Sequence, residues 1–367
     1  MASNETNGLT SRYRDQQQNR SLIHVSLPQP AIISSGNADN SVNLSPTEAR
    51  RTRPKHGFIV CADTQLGMTS QCQEWETELE YSRKAIELIN ALEPRPLFCV
   101  VCGDIADMEY TFYEGPNFTR QQCDRMQDQQ YLDFQAVYSQ LHPEIPLVCL
   151  CGNHDVGNRP TRASMARFGN FFGDDYLAFW VNGTYNIVLN TSLISNHSAP
   201  GAQELFDQQL EWLQERLCYA NTMHASNIFV FGHHPWFLYH EDERDDDLEG
   251  QSPYPVEWGP RDGGGFPDSY FHIPIHQRNI FMNLFREFGV TACFSGHFHQ
   301  NLVSKSSWGM DMIITSSLSM VFESTGKPET FTEVNARGVR LVEVEAPVDD
   351  NGEQQQGKIT HRFIPIE

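Results

Sequence analysis

The chain has 367 residues, 39% of them hydrophobic and 23 of them phenylalanine, enough to bury a large core in one domain or two smaller ones. Its formal charge of −21 argues against a nucleic-acid partner, because a phosphate backbone is held by clustered Lys and Arg. No apolar stretch is long enough to span a bilayer and the N-terminal region lacks the apolar core of a signal peptide, so a soluble, cytoplasmic protein with no membrane partner is expected.

Residues 1–54 are rich in Ser, Asn, Gln and Arg and carry Pro28, Pro30 and Pro46, a composition that cannot offset the entropy of ordering. They are read as a disordered tail ahead of one domain spanning 55–367. Phe58 to Ala62 is the first short apolar run and reads as a buried strand. Leu79, Ile86 and Ile89 then recur at helical spacing, ending before Pro94, and predict an amphipathic helix. A strand at Leu97 to Cys102, a helix at Asp128 to Leu141 and a strand at Leu147 to Cys151 continue the alternation. Tyr176 to Val181 and Tyr185 to Asn190, joined through Asn182 and Gly183, carry the signature of a hairpin. Phe206, Leu210, Leu213 and Leu217 form the stripe of a further helix. Strands at Ile228 to Phe231 and Val290 to Phe294 follow, with a helix at His276 to Phe288 between them.

The late runs Met310 to Thr315, Gly338 to Glu345 and Lys358 to Ile364 have no helices between them and predict a second, more antiparallel sheet. The expected fold is α/β, two sheets packed face to face as a sandwich and flanked by helices. The segment from Tyr239 to His272 breaks the rhythm, with three Asp, three Gly and several aromatic residues. Long loops of this kind are commonly functional or disordered: the acidic run reads first as solvated surface, and the aromatic residues, costly to leave in water, make a lid facing a substrate the alternative. Cys99 and Cys102 have metal-site spacing, but residues three apart on a strand point to opposite faces. Most of the nine cysteines lie in apolar runs and are read as core residues in a reducing compartment.

Five apolar runs end in polar clusters: Asp63-Thr64-Gln65, Gly103-Asp104-Ile105-Ala106-Asp107, Gly152-Asn153-His154-Asp155, Gly232-His233-His234-Pro235 and Gly296-His297-Phe298-His299. Open α/β sheets bind ligands beyond the carboxyl ends of their strands, so five such tips describe one site. Asp, Asn and His offer oxygen and nitrogen donors that suit Mn, Fe or Zn better than Ca. Two such ions bridged by a carboxylate would lower the pKa of a shared water and clamp an in-line phosphoryl transfer, which is phosphoester hydrolysis.

The order GDxxD, GNHD, a lone His before Pro, and GHxH resembles the calcineurin-like metallophosphoesterase superfamily over residues 56 to 364. That resemblance implies one ion on Asp63, Gln65, Asp104 and His299 and a second on Asp104, Asn153, His233 and His297, with Asp104 the bridge. His154 would protonate the leaving oxygen and Asp107 would orient it, while His234 is read as structural. Two positions depart from the pattern. Gln65 stands where the superfamily usually has His, which implies weaker binding of the first ion. Met108 stands where phosphoprotein phosphatases have a phosphate-gripping Arg, which places the chain outside that branch. The stretches Gly152 to Asn158, Gly173 to Tyr176 and Phe231 to Leu238 resemble a cytoplasmic serine/threonine phosphatase subfamily whose first motif also has Gln. The implied function is hydrolysis of phosphoserine or phosphothreonine in a phosphoprotein partner. The alternatives are a phosphodiesterase of nucleotides or other small diesters, and a catalytically weakened binding scaffold. The sequence leaves the oligomeric state open.

Overall fold

A computed structural model of the protein describes residues 55–113, 118–245, 266, 268–322, 334–345 and 357–366. The expected tail at 1–54 and the middle of the expected lid lie outside the described residues.

Two mixed sheets form the body. The first runs β11-β10-β1-β2-β3, from β1 (His56–Cys61), β2 (Cys99–Cys102), β3 (Leu147–Leu150), β10 (Gly338–Glu345) and β11 (Lys358–Pro365). The second runs β4-β5-β6-β7-β9-β8, from β4 (Leu177–Val181), β5 (Thr184–Val188), β6 (Asn227–Phe231), β7 (Ala292–Ser295), β8 (Leu302–Lys305) and β9 (Asp311–Ile314). Strands β1, β2 and β3 are mutually parallel, as are β5, β6, β7 and β9, so their carboxyl ends share an edge within each sheet. Antiparallel strands finish both sheets.

The late strands correct the sequence reading. They do not form a sheet of their own: β8 and β9 extend the second sheet, and β10 and β11 extend the first. The physical reason is length and burial. Strand β10 is buried over most of its eight residues, so it needs cover on both faces, and the flank of β1 between sandwich core and helices supplies it.

Strand alternation divides the core. Phe58 and Val60 of β1 face the same inter-sheet layer as Val100, Phe179, Phe229, Phe231 and Phe294, whereas Ile59 and Cys61 turn to the layer shared with the helices. Phe58 stacks on Phe98 at 4.7 Å between ring centroids and meets Phe294 edge-on at 5.4 Å, binding one sheet to the other. Cys99 and Cys102 fall into different layers, as their spacing requires.

Among the described residues the helices are α1 (Glu76–Asn90), α2 (Tyr110–Tyr113), α3 (Arg120–Tyr138), α4 (Asn153–Val156), α5 (Arg162–Phe172), α6 (Thr191–Ser195), α7 (Ala202–Thr222) and α8 (Ile275–Phe288). Helix α3 begins eight residues earlier than its apolar stripe. Thr119 accepts the backbone N–H of Gln122 while the Gln122 side chain accepts that of Thr119, and this capping box starts the helix on a polar first turn. The hairpin turn at Asn182 and Gly183 has positive φ at both residues, the geometry that fits the twist of β4 and β5.

Candidate metal centre

Beyond the strand ends the loops stay paired. The N–H of Asp63 donates to the Gly103 carbonyl and that of Gln65 to the Asp104 carbonyl, continuing the β1–β2 ladder. Gly232 donates to Phe294 and Gly296 to His233, continuing β6–β7. The two sheets then meet: Leu318 and Ser319 donate to the carbonyls of Ala62 and Asp63, and the His297 N–H donates to the Asp63 carboxylate at 3.0 Å. This approach leaves no room for side chains at two glycines. A Cβ on Gly296 would lie 2.3 Å from Asp63 Oδ2, and one on Gly152 would lie 2.1 Å from Asp104 Oδ1.

Asp63, Gln65, Asp104, His297 and His299 all have positive φ, between 34° and 66°. Such left-handed backbone is uncommon outside glycine and collects at functional sites where the surrounding structure enforces it. Here the crossed loop ladders enforce it, and the effect is to turn five polar side chains inward from adjacent strand ends.

The donor atoms converge. His233 Nε2 lies 2.9 Å from Asn153 Oδ1, 3.0 Å from His297 Nδ1 and 3.2 Å from Asp104 Oδ2. His299 Nε2 lies 3.3 Å from Asp63 Oδ1. Bonds of about 2.0–2.2 Å to one ion set neighbouring donors roughly 3 Å apart, so these spacings suit a coordination shell. Each imidazole is also fixed from behind. His233 Nδ1 donates to the Cys102 carbonyl (2.8 Å), His297 Nε2 to that of Tyr270 (3.2 Å) and His299 Nδ1 to that of Met320 (2.5 Å). The remaining nitrogen of each ring is aimed into the cluster and offers a lone pair once it gives up any proton, the outer-shell arrangement of metal-binding histidines. The inward nitrogens of His233 and His297 stand 3.0 Å apart, a spacing at which they can share a proton or a metal cation.

Electrostatics point the same way. Burial opposes charge on Asp104, but the facing His233 and His154 hold it below the usual carboxylate range. Burial likewise opposes charge on His233, yet Asp104 and Asp63 push it up to about 9. The carboxylates thus favour positive charge on the imidazole beside them, while burial and then the neighbouring imidazoles hold His234 and His297 well below the ordinary histidine value. Gln65 splits its amide: Nε2 donates to Asp107 Oδ1 at 2.9 Å, while Oε1 is buried without a hydrogen-bond partner. An oxygen in that condition fits a cation. The residues present thus fit a pair of metal ions.

His154 stands beside this cluster. Its Nδ1 is 3.2 Å from Asp107 Oδ1 and 3.0 Å from the Asp107 carbonyl, its N–H donates to Asp104 Oδ1 at 2.8 Å, and its ring stacks on Phe112 at 4.2 Å. Asp107 also accepts from Tyr113 and Cys72. Burial disfavours a charged His154, but Asp104 and Asp107 outweigh it and raise the ring to about 10.

Sequence reasoning missed three participants. Asp155 accepts the N–H groups of Ile105, Ala106 and Gly152 and so clamps the Asp104 loop to the Asn153 loop. The Thr191 hydroxyl accepts the N–H groups of His233 and His234 at 2.9 Å. Tyr270 supplies the carbonyl behind His297. The first of these was signalled by the final Asp of GNHD; the other two lie far away in sequence and carry no local signal. His234, read as structural, lies close enough for its ring nitrogen to form one donor group with His233 and His297.

Comparison with known proteins agrees with this arrangement. The sequence model of the calcineurin-like phosphoesterase family matches residues 56–301. The chain belongs to that family. It is a phosphoester hydrolase of the metallophosphoesterase class. It is 33% identical over 270 residues to the serine/threonine-protein phosphatase CPPED1 of Danio rerio, covering 71% of this chain and 75% of the relative. The Homo sapiens protein of the same name is 30% identical over 320 residues, covering 84% and 83%. Among solved structures, GAP50, described as the anchor in the inner membrane complex of Plasmodium, aligns with a TM-score of 0.52 at 14% identity, covering 85% of each chain. A purple acid phosphatase from yellow lupin (Lupinus luteus) aligns at 0.50 and 11% identity, covering 79% of this chain and 49% of that one. These two likenesses concern the fold. No helix among the described residues is long and apolar enough to cross a membrane.

Proposed function

We propose that the protein is a dinuclear-metal phosphomonoesterase acting on phosphoserine or phosphothreonine in proteins. The observation that carries this reading is the convergence of candidate ligands from both sheets beside an intact His154–Asp107 pair. The relatives named serine/threonine-protein phosphatase support the substrate class.

In this reading Asp63, Gln65, Asp104 and His299 hold one ion, and Asp104, Asn153, His233 and His297 hold the other, Mn, Fe or Zn by donor type. Such a pair, when bound, acidifies water and clamps phosphate oxygens during in-line transfer. The chain's own residues do the rest. Asp104 spans the two ligand sets, and its Oδ1 is kept in place by the His154 N–H. Asp107 fixes His154 through Nδ1, which leaves Nε2 to give a proton to the departing serine or threonine oxygen. Gln65 ties the first ligand set to that acid through its bond to Asp107. A pure scaffold would have no use for a leaving-group acid, so retention of the pair favours catalysis. Eight of the nine cysteines are buried, which supports their reading as core residues in a reducing, cytoplasmic setting, and residues 55–367 would act as one domain behind the 1–54 tail.

The test is the activity of purified, Mn-loaded protein on a small monoester, a diester and phosphopeptides side by side, with metal analysis. Two ions per chain and preference for phosphopeptides are expected. One ion or none at saturating metal would refute the dinuclear mechanism, and preference for the diester would refute the substrate class.

A further inference from the structure

The chain lacks the guanidinium that phosphoprotein phosphatases place after GDxxD. Met108 occupies that position, fully buried, with its N–H bound to Gln130. Phosphate orientation must then come from elsewhere, and one side chain stands in the right place. Tyr270 ends the short 3-10 turn Asp268–Tyr270, where the 239–272 segment returns to the body. Its carbonyl accepts from His297 Nε2, its ring lies 5.2 Å from the His297 ring, and Phe266 stacks on its other side at 4.4 Å. Its phenol lies by the amides of Asn158 and Asn153 and feels the Asp104 charge.

The 5.2 Å approach of the ring to His297, together with these neighbours, sets Tyr270 beside the centre. Asn153 is fully buried within the cluster and Asn158 is exposed, with the half-buried Tyr270 between them. The Asn153 side chain is buried, and its amide lies against the phenol. Two neutral donors, an amide N–H and a phenol O–H, thus stand together next to the proposed metal ligands. The charged oxygens of a phosphate group are acceptors. Neutral donors would orient them without adding charge to a centre whose cations already supply it.

We propose that the Tyr270 hydroxyl binds a phosphate oxygen of the substrate and so serves as a phosphate-positioning group in place of the missing arginine. The assignment rests on the phosphoesterase reading above. It makes the short turn Asp268–Tyr270 part of the substrate site.

Tyr270→Phe removes only the hydroxyl and keeps the ring contacts and the carbonyl behind His297. Mn-loaded wild type and Tyr270→Phe would be titrated with inorganic phosphate by calorimetry, with Mn content and melting temperature measured on the same samples. A hydrogen bond to a charged group corresponds to a loss of roughly ten- to a hundredfold in phosphate affinity. The expected result is that loss, repeated in kcat/KM for a phosphoester, with unchanged Mn content and melting temperature. Affinity within twofold of wild type would overturn the proposal. So would a fall in Mn content, which would make the hydroxyl a support for Asn153 instead. If wild type hydrolyses no phosphoester, the functional reading fails, yet the phosphate titration needs no turnover and still decides the role of Tyr270.

Discussion

Replacing Gly152 by alanine tests whether the strand-end loops are packed as tightly as the geometry says. The new methyl would sit 2.1 Å from Asp104 Oδ1 and 2.5 Å from the Asp104 backbone N, and both atoms belong to the loop that would carry the bridging carboxylate. Ordinary contact begins near 3.4 Å, so Asp104 or Gly152 must retreat by more than 1 Å. The clash is with backbone as well as side chain, so no rotamer change relieves it. Asp155 stiffens the same corner by holding Gly152, Ile105 and Ala106 together. A 1 Å misplacement at a reacting centre costs about a hundredfold in rate, and overpacking of this kind costs about 1–3 kcal/mol of stability. The assay is kcat/KM on a small phosphate monoester with Mn per chain and thermal melting. Gly169→Ala is the matched control: nothing lies within 4 Å of its Cβ, and within α5 it should raise stability by about 0.5–1 kcal/mol. Gly152→Ala with activity within threefold of wild type and full Mn content would refute the packing argument.

Further outcomes follow from the same geometry. His154→Gln should keep its metals and lose about a hundredfold to ten-thousandfold in turnover of phosphoserine peptides, with a smaller loss on esters that have good leaving groups; equal losses on both would remove His154 as the acid. Gln65→His should tighten Mn binding in a metal titration while breaking the bond to Asp107, so tighter binding should come with lower turnover. His272 gives a pH prediction. Burial, then the Arg278 charge, holds its folded pKa down to about 3, below its ordinary value of 6.5. The neutral ring is therefore stabilising above pH 6.5, and that contribution is lost as pH falls towards 3. By pH 4 the loss is about 3 kcal/mol, and denaturant titrations should show His272→Gln less acid-sensitive than wild type.

Much of this arrangement is legible in the sequence because its signals are local. A buried strand is a short apolar run, and Phe58 to Ala62 or Ile228 to Phe231 needs no partner to be recognised. Five polar tips in order also mark the residues that the fold brings to one edge. What the residues alone do not show is long-range or conformational. The destination of β8 to β11 depends on which flank offers cover. Positive φ at Asp63, Asp104 and His299 is imposed by neighbouring loops, and none of these residue types announces it. Gln65 is legible as an odd ligand, but its grip on Asp107, 42 residues away, is not. Tyr270 sits in a segment whose composition marks it only as unusual.

The two sheets contribute to the cluster separately. Asp63, Gln65, Asp104 and Asn153 hang from the first, and His233, His297 and His299 hang from the second. Ions held by both sets would act as rivets through two plates that are otherwise joined at this end by a few backbone bonds and further in by stacked phenylalanines. Stripping such rivets with a chelator would loosen the rim first and leave the aromatic middle closed. Amide exchange should then quicken at the ends of β1, β2, β6 and β7 well before the strands themselves let go. Metal supply would in that way set the mechanical state of one edge of the molecule as well as its chemistry.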